Sequence, residues 1–265
     1  MPTYAFGLQY NGTAYHGWQC QRQVPSLQAA VESAVSQLAN KRVSVICAGR
    51  TDAGVHAMNQ VINFQTDVSR PDIAWLRGTN AYLPTDICVR WVKEVPAEFH
   101  ARFSATSRRY QYVIFNNPLR SSVLYNGATW WYKPLNTELM QLAGQYLMGE
   151  HDFTSFRGPH CQARTPIRTL LSLDVRRYQD WVIVDISANA FLQHMVRNIV
   201  GVLLKIGAGE CSPLWASEVL AAKDRQQAAL TAPAKGLYFM DVGYPEIFGL
   251  PKLAVDDAML PFLAL

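Results

Sequence analysis

The sequence is short of several things, and each absence narrows the field. No apolar run reaches the ~18 residues that a membrane-spanning helix needs, so a membrane-free protein is expected. Charged residues make up only 17% of the chain while hydrophobic ones make up 49%, against ~25% charged in average globular domains. That balance excludes an intrinsically disordered chain. There are five cysteines, Cys20, Cys47, Cys88, Cys161 and Cys211. They are odd in number and widely spaced, with no Cys-x-x-Cys pair and no signal peptide ahead of them, which points to reduced thiols in the cytoplasm. The six histidines are scattered as well. His160 and Cys161 adjoin, but no metal-ligand spacing occurs, so no structural zinc site is expected. The net charge of +4 and pI of about 8.8 suit a nucleic-acid partner without requiring one.

What is present is a regular alternation of strands and helices. At 265 residues, and about 150 residues per domain, two units are expected. Tyr4, Phe6, Leu8 and Tyr10 share one parity over Thr3–Tyr10 and predict a half-buried strand, with Asn11-Gly12 as its turn. Pro25-Ser26 opens a helix, capped by Ser26, whose apolar stripe is Leu27, Ala30, Val31, Ala34, Val35 and Leu38. Lys41-Arg42 lies beyond its end. The run Val43, Val45, Ile46 predicts a strand, as does Gln60–Gln65. A helix is predicted over Asp72–Tyr82, stopped before Pro84. A strand follows over Ile87–Val95, with Ile87, Val89, Trp91 and Val95 on one face. In the second half the pattern predicts helices over Asn136–Met148 and Phe191–Ile206. It also predicts a hairpin of Ile167–Arg177 and Trp181–Ala188 turning near Gln179-Asp180, a helix from Ser212-Pro213 and a last strand over Tyr238–Val242. The same order of elements thus occurs twice. This is an α+β signature, helices packed on antiparallel sheets. The expected division is 1–115, a connection at 116–135, a second half at 136–245 and a tail at 246–265.

Three stretches carry chemistry. The first is Gly49-Arg50-Thr51-Asp52-Ala53-Gly54-Val55-His56-Ala57, placed between two strands. Glycines on either side suit a tight loop that displays Asp52, and Arg50 nearby favours its ionised form. Such a carboxylate can act as nucleophile or base, although an arbitrary Arg-x-Asp in a loop is more often a simple turn. The second stretch, Phe99-His100-Ala101-Arg102 through Arg108-Arg109-Tyr110-Gln111-Tyr112, interleaves cations with rings. RNA binding needs that combination, although such a stretch taken alone is more often a solvated basic edge. The third is Phe191-Leu192-Gln193-His194-Met195-Val196-Arg197-Asn198-Ile199-Val200-Gly201, an apolar helix carrying a cation that needs a partner if buried.

Taken together, these stretches resemble the motifs of the tRNA pseudouridine synthase A family. Tyr10–Gln19 is similar to another of its motifs, with Asn11 in place of the usual Asp, and Glu150–Arg157 resembles a further segment. The likeness runs from about Tyr4 to Pro245. It implies the pseudouridine synthase fold, two similar α+β halves joined around a central catalytic cleft. It implies an isomerase that converts uridines 38, 39 and 40 in the anticodon arm of tRNA to pseudouridine. Partners would be tRNA and a second copy of the chain, with no metal and no small-molecule cofactor. Asp52 is then the catalytic nucleophile. Arg50 helps hold the flipped base, Arg197 pairs with the catalytic carboxylate, Tyr110 packs on the uracil and Leu237 floors the pocket. Arg108 and Arg109 bind RNA. The route by which Asp52 acts, at C1′, at C6 or at C2′, stays open, as does any role for His56 and His194 beyond structure.

Two other classes fit parts of the sequence. A non-catalytic RNA-binding protein would have no need of Asp52. A glycoside hydrolase acting on nucleosides would want two carboxylates flanking the scissile bond, and Asp67, Asp72 and Asp86 lie in no such context.

Overall fold

The computed structural model describes residues 1–123 and 125–252. Of the connection expected at 116–135, residue 124 lies outside these, and so do residues 253–265 of the expected tail. In chain order the elements are β1 (Thr3–Tyr10), α1 (Leu27–Ala39), β2 (Ile46–Cys47), β3 (His56–Gln65), α2 (Asp72–Tyr82), β4 (Ile87–Val95), β5 (Ser107–Asn116), β6 (Thr129–Trp131), α3 (Thr137–Gln145), β7 (Gly149–Asp152), β8 (Ile167–Tyr178), β9 (Trp181–Ala188), α4 (Met195–Gly207), α5 (Trp215–Ala222) and β10 (Leu237–Gly243). The mixture of sheet and helix is the α+β class that the pattern predicts. Among the described residues two compact units contain these elements, one of Met1–Thr106 with residues 238–252, the other of Ser107–Leu237.

In the first unit β1 lies between β3 and β4, antiparallel to both, β10 runs parallel to β3, and β2 also pairs with β3. The Tyr4 and Phe6 rings meet Trp75 of α2, and Phe64 packs edge-on against Phe6 at 5.0 Å and against Trp75 at 5.5 Å. Helix α1 starts where expected, with the Ser26 hydroxyl accepting from Ala29 N at 3.3 Å, and ends at Asn40 in the left-handed conformation.

Strand β1 is buried on both faces, not one. The second face is covered because the Trp91 indole lies against Gly7, where a Cβ would overlap it. The segment from Phe99 to Ala101 covers more of that face, through Asn63 of β3. Asn63 Nδ2 donates to Phe99 O at 3.4 Å and its Oδ1 accepts from Ala101 N at 2.8 Å. The expected single face of β4 is also corrected. Gly7 pairs with Trp91 but Leu8 pairs with Val89, so Arg90 is an extra residue on β4. Such a bulge reverses the side-chain parity. Ile87 and Val89 therefore share a face with Tyr10 and Leu8, while Trp91 and Val95 share the other with Gly7 and Thr3. The strand expected from Val43 shrinks to Ile46–Cys47. The Val43 amide bonds the Ser36 hydroxyl at 2.9 Å and the Val45 amide bonds Glu32 Oε1 at 3.0 Å, so side chains of α1 take the hydrogen bonds a ladder would use.

In the second unit β9 lies between β5 and β8, antiparallel to both; β7 is antiparallel to β8 and β6 parallel to β5. The β8–β9 hairpin turns at Gln179-Asp180 as predicted, with Gln179 at φ 52°. Asp185 of β9 is buried and gathers two cations. Arg109 bonds it through Nε at 2.9 Å and Nη2 at 2.6 Å, and Arg176 lies at 3.4 Å. Gln111 adds a hydrogen bond at 2.7 Å. Helix α4 begins at Met195, four residues later than its apolar run suggests. His194 is left-handed at φ 62°, and Gln193 O is taken by Gly158 N at 2.8 Å, which holds 191–194 as a turn. Ser212 and Pro213 form the turn ahead of α5, their carbonyls accepting from Trp215 N and Ala216 N. The α3 helix stops at Gln145 because Gly149, at φ 90°, already starts β7.

Gly7→Ala should destabilise the first unit by about 1–3 kcal/mol, the usual cost of forcing an extra carbon into a packed interior. Urea unfolding checks this: the midpoint should fall while the denaturant slope stays unchanged.

Candidate active site

In the first unit the loop between β2 and β3 is held from several sides. Gln60 of β3 is fully buried; its Oε1 accepts from Gly49 N at 3.3 Å and its Nε2 donates to Gly49 O at 2.5 Å. Two residues on, Thr51 Oγ1 shares a hydrogen bond of 2.8 Å with the Tyr10 hydroxyl, and Thr51 O accepts from Trp18 N at 2.9 Å. Asp52 O accepts from Val55 N at 3.2 Å, closing a turn. Asp52 is half-buried and Arg50 exposed. The backbone ahead of Asp52 is thus held by buried groups, and Asp52 O closes the turn that follows it.

The segment after β1 packs directly on this loop, and two glycines make the approach feasible. A Cβ at Gly12 would overlap the Val55 carbonyl, and one at Gly17, at φ 92°, would lie 2.8 Å from Thr51 O. Gly12 N donates to His56 Nδ1 at 3.2 Å, and the His56 ring stacks on Tyr238 at 4.7 Å. These contacts give buried His56 a structural role. The Tyr15 hydroxyl donates to Asp86 Oδ1 at 2.6 Å, and Trp18 is buried. Burial pushes the Tyr10 hydroxyl well above the ordinary phenol range, against the pull of its bonds to Thr51 and Gln60. It therefore stays protonated as a strut of the loop. Burial likewise pushes the Cys47 thiol up to about 12, against the Arg50 and Arg102 guanidiniums.

The second unit holds the other predicted residues. Tyr110 of β5 is buried and meets the Phe191 ring edge-on at 5.1 Å. Arg197, in the first turn of α4, donates through Nε to Ala232 O at 2.8 Å, and Ala232 N returns a bond to Arg197 O at 3.1 Å. The 232–237 segment is further tied by Tyr112, whose hydroxyl meets Pro233 O at 2.8 Å and Thr129 Oγ1 at 2.7 Å. Burial raises that phenol too, although Thr129 and Arg197 pull the other way. Buried Leu237 then opens β10. Arg108 donates to Asn189 O at 2.8 Å, whereas Arg109 is committed to Asp185. The second predicted stretch thus splits between tasks. Phe99 and Ala101 are buried packing residues, while Phe103 is 77% exposed with Arg102 5.6 Å above its ring.

Sequence reasoning missed Gln60 and the Tyr112–Thr129–Pro233 tie. A signal for Gln60 existed: it has the parity of Ile62 and Phe64, a polar residue at a core position of a strand. The tie had no signal, because its three members are far apart in the chain. Among the described residues no three His, Cys, Asp or Glu side chains gather as a metal set, and no helix is long and apolar enough to cross a membrane.

Comparison with known proteins agrees with the motifs. A family model described as tRNA pseudouridine synthase matches residues 8–104 and 143–245. The chain is 53% identical over 257 residues to a protein of Vibrio campbellii named tRNA pseudouridine synthase A, covering 97% of each chain. A protein of the same name from Klebsiella pneumoniae is 55% identical over 256 residues, covering 97% of this chain and 95% of that one. Another, from Cronobacter sakazakii, is 57% identical over 248 residues, covering 94% and 92%.

Gln60→Leu should leave both polar groups of Gly49 without their partner, at about 1–3 kcal/mol for each one that stays buried. A thermal melt should show that loss, and amide exchange of the 48–55 loop should accelerate beyond the rest of the first unit.

Proposed function

Because the chain belongs to the tRNA pseudouridine synthase family, an isomerase family acting on tRNA uridine, we propose that its targets are uridines 38, 39 and 40 of the anticodon arm and that Asp52 is its nucleophile. The observation that carries this reading is the pinned loop. Gln60, Tyr10 and Trp18 hold Gly49 and Thr51, on the approach to Asp52, and preorganisation of this kind is what a positioned nucleophile requires.

The reaction breaks the bond between uracil N1 and ribose C1′, turns the base and rejoins it through C5, releasing the C5 proton. A base paired in a stem is out of reach, so the nucleotide must first be extruded, at a few kcal/mol. In this reading Arg50 holds the opened position, Tyr110 packs on the uracil, Leu237 floors its pocket and Arg197 is the cation that pairs with the carboxylate. Tyr110 and Leu237 are both buried apolar surfaces, the kind that keeps water from a detached base. Arg108 and Arg109 contact RNA. The enzyme works as a cytoplasmic homodimer that shares one tRNA between two subunits. Recognition rests on backbone and shape, since neighbouring uridines in differing tRNAs share no base sequence.

Release of tritium from tRNA labelled at uracil C5 tests the reaction. Asp52→Asn should abolish release and leave tRNA affinity within about tenfold, or ~1.4 kcal/mol. Substantial release by this variant would remove Asp52 from the mechanism. The two arginines should differ in their effect on the salt dependence of binding. Arg108→Ala should flatten the slope by about one unit. Arg109→Ala should flatten it less, because its charge is already matched by Asp185 at 2.6 Å.

A further inference from the structure

The second unit holds a cluster of cations to which the proposal above gives little work. Arg157, Arg168 and Arg108 gather about the loop that leads into β8. Arg157 spans this loop, its Nη2 donating to Cys161 O at 2.7 Å and to Ala163 O at 2.8 Å. Arg168 folds back on the loop's end, its Nη1 donating to Thr165 O at 3.0 Å and to Ile167 O. The Arg168 Nε is shielded from solvent and meets no acceptor. Arg108 reaches the same place through Asn189. It donates to Asn189 O at 2.8 Å, and Asn189 is itself bonded to Thr169 by Thr169 N to Oδ1 at 3.1 Å and by Asn189 N to Thr169 O at 3.1 Å.

Among the described residues neither Arg157 nor Arg168 forms an ion pair with a carboxylate. That distinguishes them from Arg109 and Arg176, which share Asp185. Burial first, and then the nearby Arg157 and Arg108 charges, work against charge on Arg168, with the Cys161 sulfur acting the other way. The Cys161 thiol reports the same field. Burial would raise it, but the Ala163 and Gln193 backbone N–H groups and the Arg157 guanidinium outweigh that and hold it below the ordinary thiol range. Like charges brought together cost the fold stability, and a bound anion would offset that cost. Guanidinium forks match phosphate oxygens in geometry as well as charge.

We propose that Arg108, Arg157 and Arg168, with the loop they frame, form a binding site for a backbone phosphate of the RNA substrate. The inference rests on the reading that the substrate is tRNA. It adds Arg157 and Arg168 to the residues that grip the substrate, in a role separate from handling the uracil.

The test measures tRNA affinity of the full chain across a range of salt concentrations. Arg168→Gln should weaken binding about tenfold near 0.1 M salt and lower the log–log slope by about one unit, the signature of one fewer phosphate neutralised. Arg168→Lys keeps the charge and should restore the slope, which a merely structural role would not do. In the unmodified protein, saturating tRNA should slow alkylation of Cys161 by iodoacetamide severalfold, read peptide by peptide, while inorganic phosphate at equal phosphate concentration should not. The proposal is overturned if Arg168→Gln binds with the wild-type slope, if Arg168→Lys behaves like Arg168→Gln, or if tRNA leaves Cys161 labelling unchanged. Protection by inorganic phosphate alone would overturn it as well, since the site would then hold free anion and not RNA. Tritium release by the unmodified enzyme is a separate measurement: its absence would refute the proposed reaction and would leave the salt slopes to judge the cluster.

Discussion

Strand β3 is covered on both faces and yet carries three buried amide side chains, Asn59, Gln60 and Asn63. A buried amide must find partners or cost the fold a few kcal/mol. Each of the three directs its hydrogen bonds to a different segment. Gln60 takes Gly49 and so holds the loop that displays Asp52. Asn63 takes Phe99 and Ala101, and so holds the stretch ahead of β5. Asn59 accepts from Trp91 Nε1 at 3.2 Å and donates to Asp241 at 2.8 Å, joining β4 and β10 to the same strand. The candidate active-site loop is therefore part of the core's hydrogen bonding, and its precision derives from the stability of the sheet beneath it.

In the second unit two buried polar side chains, Asp185 and Asn198, find partners in a similar way. Asp185 is neutralised by Arg109 and Arg176 and further bonded by Gln111. Asn198, buried in α4, donates to Phe156 O at 2.8 Å and accepts from Thr231 at 2.6 Å and Arg225 at 3.1 Å. These bonds fix one side of α4, and Arg197, the next residue back, bonds the 232–237 segment instead. Neighbouring positions of one helix turn thus tie α4 to two different parts of the unit.

Charge follows the same division. A net charge of +4 says little about RNA binding because many cations are engaged internally, Arg109 and Arg176 with Asp185, Lys41 with Asp67 and Lys133 with Glu210. The distribution matters more. Among the described residues Arg157 and Arg168 form no ion pair with a carboxylate, and field strength at such a place, not the total, governs where a polyanion settles.

The sequence by itself determined the α+β class, most element positions and the family, because strand and helix periods, caps and contiguous motifs are local properties of the chain. The stretch from Gly49 to Ala57 was legible as a tight loop from its glycines, whereas a catalytic role for its carboxylate was read from the resemblance of the whole string. Only the tertiary structure decided what those local patterns could not contain. The bulge at Arg90 flips half of β4, because parity depends on the register with β1 and not on the residues of β4. Val43 and Val45 leave the sheet because Ser36 and Glu32, close in space on α1, offer their amides better partners. The turn at His194 delays α4 because a carbonyl there is claimed by Gly158. Arg108, Arg157 and Arg168 become one site only when β5 and β8 are laid on either side of β9, since charges dozens of residues apart interact through space and leave no trace in spacing.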